Sequence, residues 1–437
     1  MATDLVGLLN RLGGWEGFEV AGIDEDPTRR PDVFGEPAPR LVITLRPTAN
    51  AVKRCSRCGA VVTEIHDTTE RMVRDVAFLE HDTWLRFPRA RLRCPTCGPT
   101  VEAVPWLDKH QRMTTRLAEK IARLAMVLPV EHVATWFGVH WTTVKAIHAR
   151  ALARQLGPVT RASLHGVRYL AIDEFAIQKG HRYATVIVDP ETKRVLWVAR
   201  GRDRAAVAPF FALLGAAGCA AIKAIAMDMH GPFREAVRAQ CPHAAVVYDL
   251  FHVVAKYARE VIDRVRVDET NRIARAERAG HRTGLGTVDG LGIRAQRRVL
   301  KGTRWLLLRN RENLTRSGDR IRLQELLAAN RALFITYVLK DDLKQLWRYR
   351  APAAARRFWR HWYRRAMRSR LEPLQRFAQR LQPYLPGILN HCRYPLSTAL
   401  VEGINNKIKV LKRMAYGYRD DAYFFLRIRA AFPGIPR

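Results

Sequence analysis

The hydrophobic positions change period several times along the chain, and these changes divide it. Between residues 46 and 105, the runs VVTEIHD and TWLRFPRARLRC alternate apolar and polar positions and predict the strands of a ribbon. From Thr114 the period turns helical: Leu117, Ile121, Leu124 and Leu128 follow i, i+3/i+4 spacing until Pro129 breaks it. A short helix over 131–137 stops at Gly138 and another starts near Trp141, the outline of a helix-turn-helix within 110–156. In that second helix Val144, Ile147 and Ala151 are predicted to face inward. Thr142, Thr143, Lys145 and His148 are predicted to face outward, with polar residues near the helix start as groove reading requires. An ordinary αα-hairpin fits the same pattern. Residues 1–45 suggest no assignment.

After a linker at 157–166, VRYLAIDE, HRYATVIVDP and KRVLWVAR read as three strands of a meander. A helix over 205–214, a strand KAIAMD, a helix near Pro232, a strand AAVVYD and a further helix follow. The order βββαβαβα predicts a mixed α/β fold with one mixed sheet, spanning 165–254. Residues 255–395 carry almost no strand signal and predict an Arg-rich helical insertion, interrupted by a glycine-laden loop at 279–292. The closing segment, 396–437, starts with a helix for which Ser397 is a suitable N-cap. Leu400, Ile404, Ile408 and Leu411 fall on one side of that helix, and Glu402, Asn405, Asn406, Lys409 and Arg413 on the other.

Composition narrows the partners. Of 437 residues, 48% are hydrophobic, which excludes wholesale disorder, and 75 Lys and Arg against 41 Asp and Glu leave a formal charge of +34. Such an excess repels itself in a compact body unless a polyanion shares the surface, so nucleic acid is the expected partner. No run approaches the roughly 18 apolar residues of a membrane span, and the N-terminus lacks a basic segment before its apolar stretch. A cytoplasmic, nucleoid-associated protein is expected, with no membrane partner. Between Lys344 and Arg380 there are 12 Lys or Arg and one acid, Glu372, with Trp347, Trp359 and Trp362 interleaved. A solvated helix face normally mixes signs, so one-signed charge this dense predicts contact with phosphates. The tryptophans fit either a helical core or stacking on unpaired bases.

Two constellations carry chemistry. Cys55 and Cys58 (CSRC) and Cys94 and Cys97 (CPTC) form two pairs, each followed by a glycine. Two-residue spacing aims both thiolates of a tight turn at one ion, and four sulfurs complete a tetrahedral shell for one structural Zn²⁺. A redox dithiol needs only one pair. The second constellation is acidic: Asp173 closes YLAIDE and Asp228 closes AIAMD. Carboxylates gathered at one sheet edge repel unless they share hard cations such as Mg²⁺ or Mn²⁺, and Glu402 offers a third. Two such ions activate an attacking oxygen and stabilise a leaving one in phosphodiester chemistry. Asp249, which ends VVYD three residues before His252, competes for the second position, and Glu174 is expected to point to the opposite face.

The run AIDEFAIQKGHRYATVIVDP, with AMDMHGPFREAV, VVYDLFHVV and VEGINNKIKVLKRMAYGYRD, resembles the ISL-three family of bacterial insertion-sequence transposases. With the cysteine pairs and the helix-turn-helix, the resemblance covers most of the chain from about residue 50. It implies a DDE triad in a ribonuclease-H-like core, interrupted by an all-helical insertion before the Glu. Asp173, Asp228 and Glu402 match the triad, with Asp249 as the alternative second Asp. It further implies binding of terminal inverted repeats, DNA cleavage and strand transfer with two Mg²⁺, and at least a homodimer when two ends are joined. Lys409, Lys412 and Arg413 are candidates for holding DNA phosphates. Two other readings stay open: a nuclease without strand transfer, and a DNA-binding regulator whose acids only cap and solvate.

Overall fold

The computed structural model describes residues 5–31, 37–79, 81–178, 180–278, 300, 304–309, 314–396 and 399–435. The expected Ser397 cap and the loop at 279–292 lie outside these. The chain divides into two compact units, one of residues 1–157 with 412–417 and one of 158–411 with 418–437.

The first unit is built on a six-stranded sheet. Its elements are α1 (Leu5–Leu12), β1 (Phe18–Pro31), β2 (Pro37–Pro47), β3 (Arg54–Cys55), β4 (Ile65–Arg74), β5 (Asp82–Cys94) and β6 (Gly98–Ala103), in the order β1-β2-β5-β6-β3 with β4 also on β5. The long strand β5 alternates buried and open positions, and its Leu85 and Phe87 pack with Ile43, Leu45 and Trp106. Residues the sequence left unassigned thus enter the same sheet, since β2 pairs in parallel with β5 from Arg40↔Asp82 to Thr44↔Arg86. Asp75, 1% exposed, lies just after β4 and gathers four partners. It accepts from Trp15 Nε1 at 3.0 Å, Thr114 Oγ1 at 2.6 Å and Arg116 Nε at 2.6 Å, and Val76 N donates to it at 2.8 Å. Burying a carboxylate is costly, and these donors offset the cost. Thr114 caps α2 (Thr115–Val127), which is followed by α3 (Val130–Phe137) and α4 (Trp141–Leu156). Gly138 closes α3 at φ 58°, a left-handed turn that suits glycine.

The second unit holds the mixed sheet expected from the pattern. Its strands are β7 (Tyr169–Gln178), β8 (Arg182–Asp189), β9 (Arg194–Arg200), β10 (Ala224–Met227) and β11 (Ala245–Tyr248), in the order β11-β10-β7-β8-β9. The β7-β8-β9 meander is antiparallel, whereas β10 pairs in parallel with both β7 and β11. Crossovers run through α5 (Arg204–Ala221) and α6 (Gly231–Gln240), and α7 (Leu250–Tyr257) follows β11. By length and composition α5 is apolar enough to cross a membrane, with a mean hydropathy of 1.5, which corrects the expectation that no segment passes that test. Its many alanines keep the average high without a continuous run of large side chains. It packs Val207, Phe210, Phe211 and Leu214 into the core, and it is kinked at Gly215 (φ 72°).

Among the described residues no strand follows β11, and the Arg-rich region is helical. The helix Pro352–Arg368 buries Ala355, Trp359, Trp362 and Ala366, and Trp362 Nε1 donates to Leu339 O at 2.8 Å. Two of the three interleaved tryptophans are therefore core residues. The arginines take the other face: Arg356, Arg357, Arg360, Arg364 and Arg368 are exposed.

Candidate catalytic site and nucleic-acid interface

The sheet register gathers the acids. Ile172 of β7 pairs with Met227 of β10, and Met227 with Tyr248 of β11. The next residue along each of these parallel strands is Asp173, Asp228 or Asp249, so the three acids line up where β10 and β11 end; β7 itself runs on to Gln178, which corrects the expectation that Asp173 closes its strand. Asp228 is beside Asp173, and Asp249 is one strand further. Each is oriented locally. Asp173 Oδ1 accepts from Glu174 N at 2.8 Å, and Asp228 Oδ1 accepts from His230 N at 3.0 Å. Asp249 is the N-cap of α7, and its Oδ2 lies 3.1 Å from His252 Nδ1.

The fourth acid arrives on the helix Ala399–Met414. Asn405 of that helix donates from Nδ2 to Asp173 Oδ2 at 2.7 Å. Glu402 is three residues earlier, hence on the same face and about 4.5 Å along the axis. It is exposed, whereas Asn405 is 8% exposed, which corrects the outward face expected for the asparagine. Sequence reading placed the apolar stripe through Leu400, Ile404 and Ile408, but Val401, Ile404, Asn405 and Ile408 are the buried set.

Burial and like charge shift the titration of this row. Burial, opposed by the Glu174 N–H and by His252 and reinforced by Asp228 and Asp249, pushes Asp173 up to about 6. Burial together with the charges of Asp228 and Asp173 raises Glu174 to about 7, against the pull of Arg202. The bond to Asp249 and the surrounding carboxylates raise His252 to about 9, against its own burial. Glu174 Oε2 and Asn405 Oδ1 are buried oxygens without a hydrogen-bond partner, so hard lone pairs remain unsatisfied beside the acids. This is the donor chemistry of Mg²⁺ or Mn²⁺. Sequence reading gave Glu174 no role and missed Asn405. The signal for Asn405 was its i+3 spacing from Glu402.

The cysteines form a tighter cluster. The Sγ atoms of Cys55, Cys58, Cys94 and Cys97 all lie within 4.8 Å of one another, with Cys58 and Cys94 3.6 Å apart. Tetrahedral Zn²⁺ with bonds of about 2.3 Å sets sulfurs roughly 3.8 Å apart, so the donors fit. Backbone N–H groups of Cys58 and Arg57 lower Cys55 to about 6, while its neighbouring sulfurs and burial push Cys97 up to about 12. Thiolates this close need a cation between them. Among the described residues this is the one group of three or more His, Cys, Asp or Glu ligand atoms so closely gathered, and the carboxylates stand further apart.

In the helix-turn-helix, Thr142 is exposed, whereas Thr143 and Lys145 are half-buried. His148 is the exception. It is 0% exposed, and its Nε2 lies 3.1 Å from Met126 Sδ, so it is not a surface contact. The inward stripe of α4 runs through Val144, Ile147, His148 and Leu152, one position off the expected line through Ala151. Thr142 is also part of the helix cap, since His140 Nδ1 lies 2.7 Å from its hydroxyl. Lys409 and Arg413 are exposed and Lys412 is half-buried.

Three family models match in chain order. The zinc-finger of transposases IS204/IS1001/IS1096/IS1165 covers residues 51–97, and the helix-turn-helix domain of transposase family ISL3 covers 102–152. The ISL3 DDE domain, described as a transposase, covers 170–428, more than half of the chain. The transposase for insertion sequence element IS1001 of Bordetella parapertussis is 47% identical over 433 residues, 98% of this chain and 99% of the relative. The transposase for IS1557 of Mycobacterium tuberculosis is 31% identical over 410 residues, 92% and 91% of the two chains. With acids in register on the sheet, a four-cysteine cluster and these matches, the chain belongs to the ISL3 family of insertion-sequence transposases, metal-dependent enzymes that bind DNA.

Proposed function

We propose that Asp173, Asp228 and Glu402 are the DDE triad of a ribonuclease-H-like core. In this reading the chain binds the terminal inverted repeats of its element, cuts at their ends and joins the exposed 3′-hydroxyl to target DNA. The observation that carries it is the acid row in register, bound through Asn405 to the helix that bears Glu402. A sheet of order β11-β10-β7-β8-β9, with an antiparallel meander and two parallel strands, supports the ribonuclease-H-like assignment. Asp228 is preferred to Asp249 because its strand adjoins β7 and its charge acts more strongly on Asp173.

The triad would hold two Mg²⁺ or Mn²⁺ ions, which when bound polarise the attacking and leaving oxygens of a phosphodiester. The chain's own residues supply the setting. Asn405 fixes the Asp173 carboxylate and ties it to the Glu402 helix. Asp249 orients His252 as an imidazolium, whose positive charge beside the acids holds a phosphate oxygen. One structural Zn²⁺ would be bound by Cys55, Cys58, Cys94 and Cys97. Thr142, Thr143 and Lys145 would face bases or phosphates, with Lys409, Lys412 and Arg413 on the strand near the acids. Joining two element ends calls for at least two copies of the chain, acting at the nucleoid.

The test is a duplex ending in the inverted repeat that flanks the coding sequence, incubated with wild-type protein and Mg²⁺. Joined products support transposition. Breakage without joining supports a nuclease, and binding without breakage a regulator.

The exposed arginines of Pro352–Arg368 make a separate expectation. Arg356, Arg360, Arg364 and Arg368 recur every fourth residue, about 6 Å apart along the axis. Replacing Arg356, Arg360 and Arg364 by alanine is expected to weaken binding to all sequences alike. The slope of log affinity against log salt should flatten by roughly 0.9 for each arginine that meets a phosphate. An unchanged slope would remove this face from the DNA path.

A further inference from the structure

Helix α4 has one buried stripe and one open arc, and half of the open arc is apolar. Val144, Ile147, His148 and Leu152 face inward, where Val144 and Ile147 pack with Ile121 of α2 and Val133 of α3. On the other side Trp141, Thr142, Ala146 and Arg150 are exposed, and Lys145 and Ala149 are half-buried. Two of the polar members have local duties. Nδ1 of His140, the N-cap, lies 2.7 Å from the Thr142 hydroxyl and accepts from Thr142 N at 3.4 Å. Arg150 donates to Gln111 Oε1 at 3.1 Å. The apolar members stand open. Trp141, the first residue of the helix, is 45% exposed with the His140 ring beside it, centroids 5.7 Å apart. Ala146 presents a bare methyl group a turn further on.

This surface suits the floor of a major groove. The groove admits one α-helix, and the residues near the helix start reach the base edges. There the thymine C5-methyl is the apolar group that a base pair presents, and it marks T·A among the four pairs. Ala146 has no hydrogen bond to offer a base, and an indole brings a wide apolar face. Each can cover a thymine methyl and shed water with it. Small side chains at 146 and 149 also let the helix sit close to the bases.

Resting on the repeat-binding reading above and deepening it, we infer that α4 selects the element ends by thymine methyl groups in paired DNA. Trp141 covers one and Ala146 another, so these two are specificity-determining residues. They are five residues apart, about 7.5 Å along the axis, which sets their thymines roughly two base-pair steps apart.

The test uses the zinc-loaded full chain and the repeat duplex in Ca²⁺, with binding read by fluorescence anisotropy. Thymines are replaced one at a time by deoxyuridine, which removes the methyl and keeps every hydrogen-bonding group. Wild-type protein should lose roughly fourfold in affinity at each of two thymines about two steps apart. Trp141→Ala should lose the response at one of them, and Ala146→Gly at the other. Each response is a ratio between two duplexes, so the cost of glycine to the helix cancels. Trp136→Ala, which removes another exposed indole from α3, should keep both responses. No responding thymine in wild type, responses kept by both α4 variants, or responses lost as fully in Trp136→Ala would overturn the inference and leave repeat binding standing. Wild-type protein that binds the repeat no more tightly than an unrelated duplex would overturn the repeat-binding reading, and this inference with it.

Discussion

Asp173→Asn should abolish DNA cleavage while leaving repeat binding intact, and it should raise the thermal midpoint of the cation-free protein. A metal ligand supplies several kcal/mol of transition-state stabilisation, so a fall of about a thousandfold or more is expected. The stability gain comes from the surroundings. Asp173 is half-buried beside Asp228 and Asp249, with a folded pKa of about 6 against an ordinary 3.8. Because that value is raised, its contribution to stability is complete below the unfolded pKa and is lost as pH rises through about 6. At pH 7.5 the charge is a liability, and a neutral amide removes it. The hydrogen bonds survive: the new side-chain oxygen accepts from Glu174 N, and its amide donates to Asn405 Oδ1 once that amide turns over, giving a partner to an oxygen that has none. A rise of a few degrees is expected by calorimetry at pH 7.5, shrinking towards pH 4. Glu402→Gln should lose cleavage equally with little change in midpoint, because Glu402 is exposed. Undiminished cleavage by either variant would remove that residue from the triad.

Replacing Cys94 and Cys97 together by serine should unfold the ribbon around residues 51–103 and abolish selective repeat binding. The local core holds Cys55, Val62, Ala90, Leu92 and Cys94, too few groups to fold on their own. Metal binding in such modules supplies on the order of 10 kcal/mol at neutral pH, which is folding free energy here. Cys94 ends β5 and pairs with Gly98 of β6, so loss of the ion releases both strand ends. Leu85 and Phe87, at the other end of β5, belong to a separate core and should stay protected. Zinc content and amide exchange over β3, β5 and β6 measure this. Full protection in zinc-free protein would contradict a structural metal.

The acid row was legible because two four-residue strands, β10 and β11, are each followed by an aspartate, and the parallel strand β7 carries Asp173 at the matching position before running on to Gln178. Strands of four residues place their last side chain with little ambiguity, and parallel pairing then aligns the ends. The zinc cluster was legible from spacing alone. What stayed hidden depended on neighbours far away in sequence. β1 carries Asp24, Glu25, Asp26 and two prolines, so its alternation is weak, and its place in the sheet comes from pairing with β2. His148 was assigned outward because the stripe was drawn through Ala151, and a one-position shift on a helix moves a side chain by about 100°. The three tryptophans look alike in sequence. Only helix packing separates Trp359 and Trp362, buried in the core, from Trp347, half-buried against its margin.

Asp75 carries a mechanical corollary. By tying Trp15, Thr114 and Arg116 to one buried carboxylate, it removes any hinge between the ribbon and the first helix of the three-helix reader. Whatever base preferences the two modules possess are therefore interrogated in a single rotational phase. Five base pairs inserted between their footprints, about half a turn of duplex, would carry one footprint to the far side of the DNA, and no slack in the polypeptide could follow it.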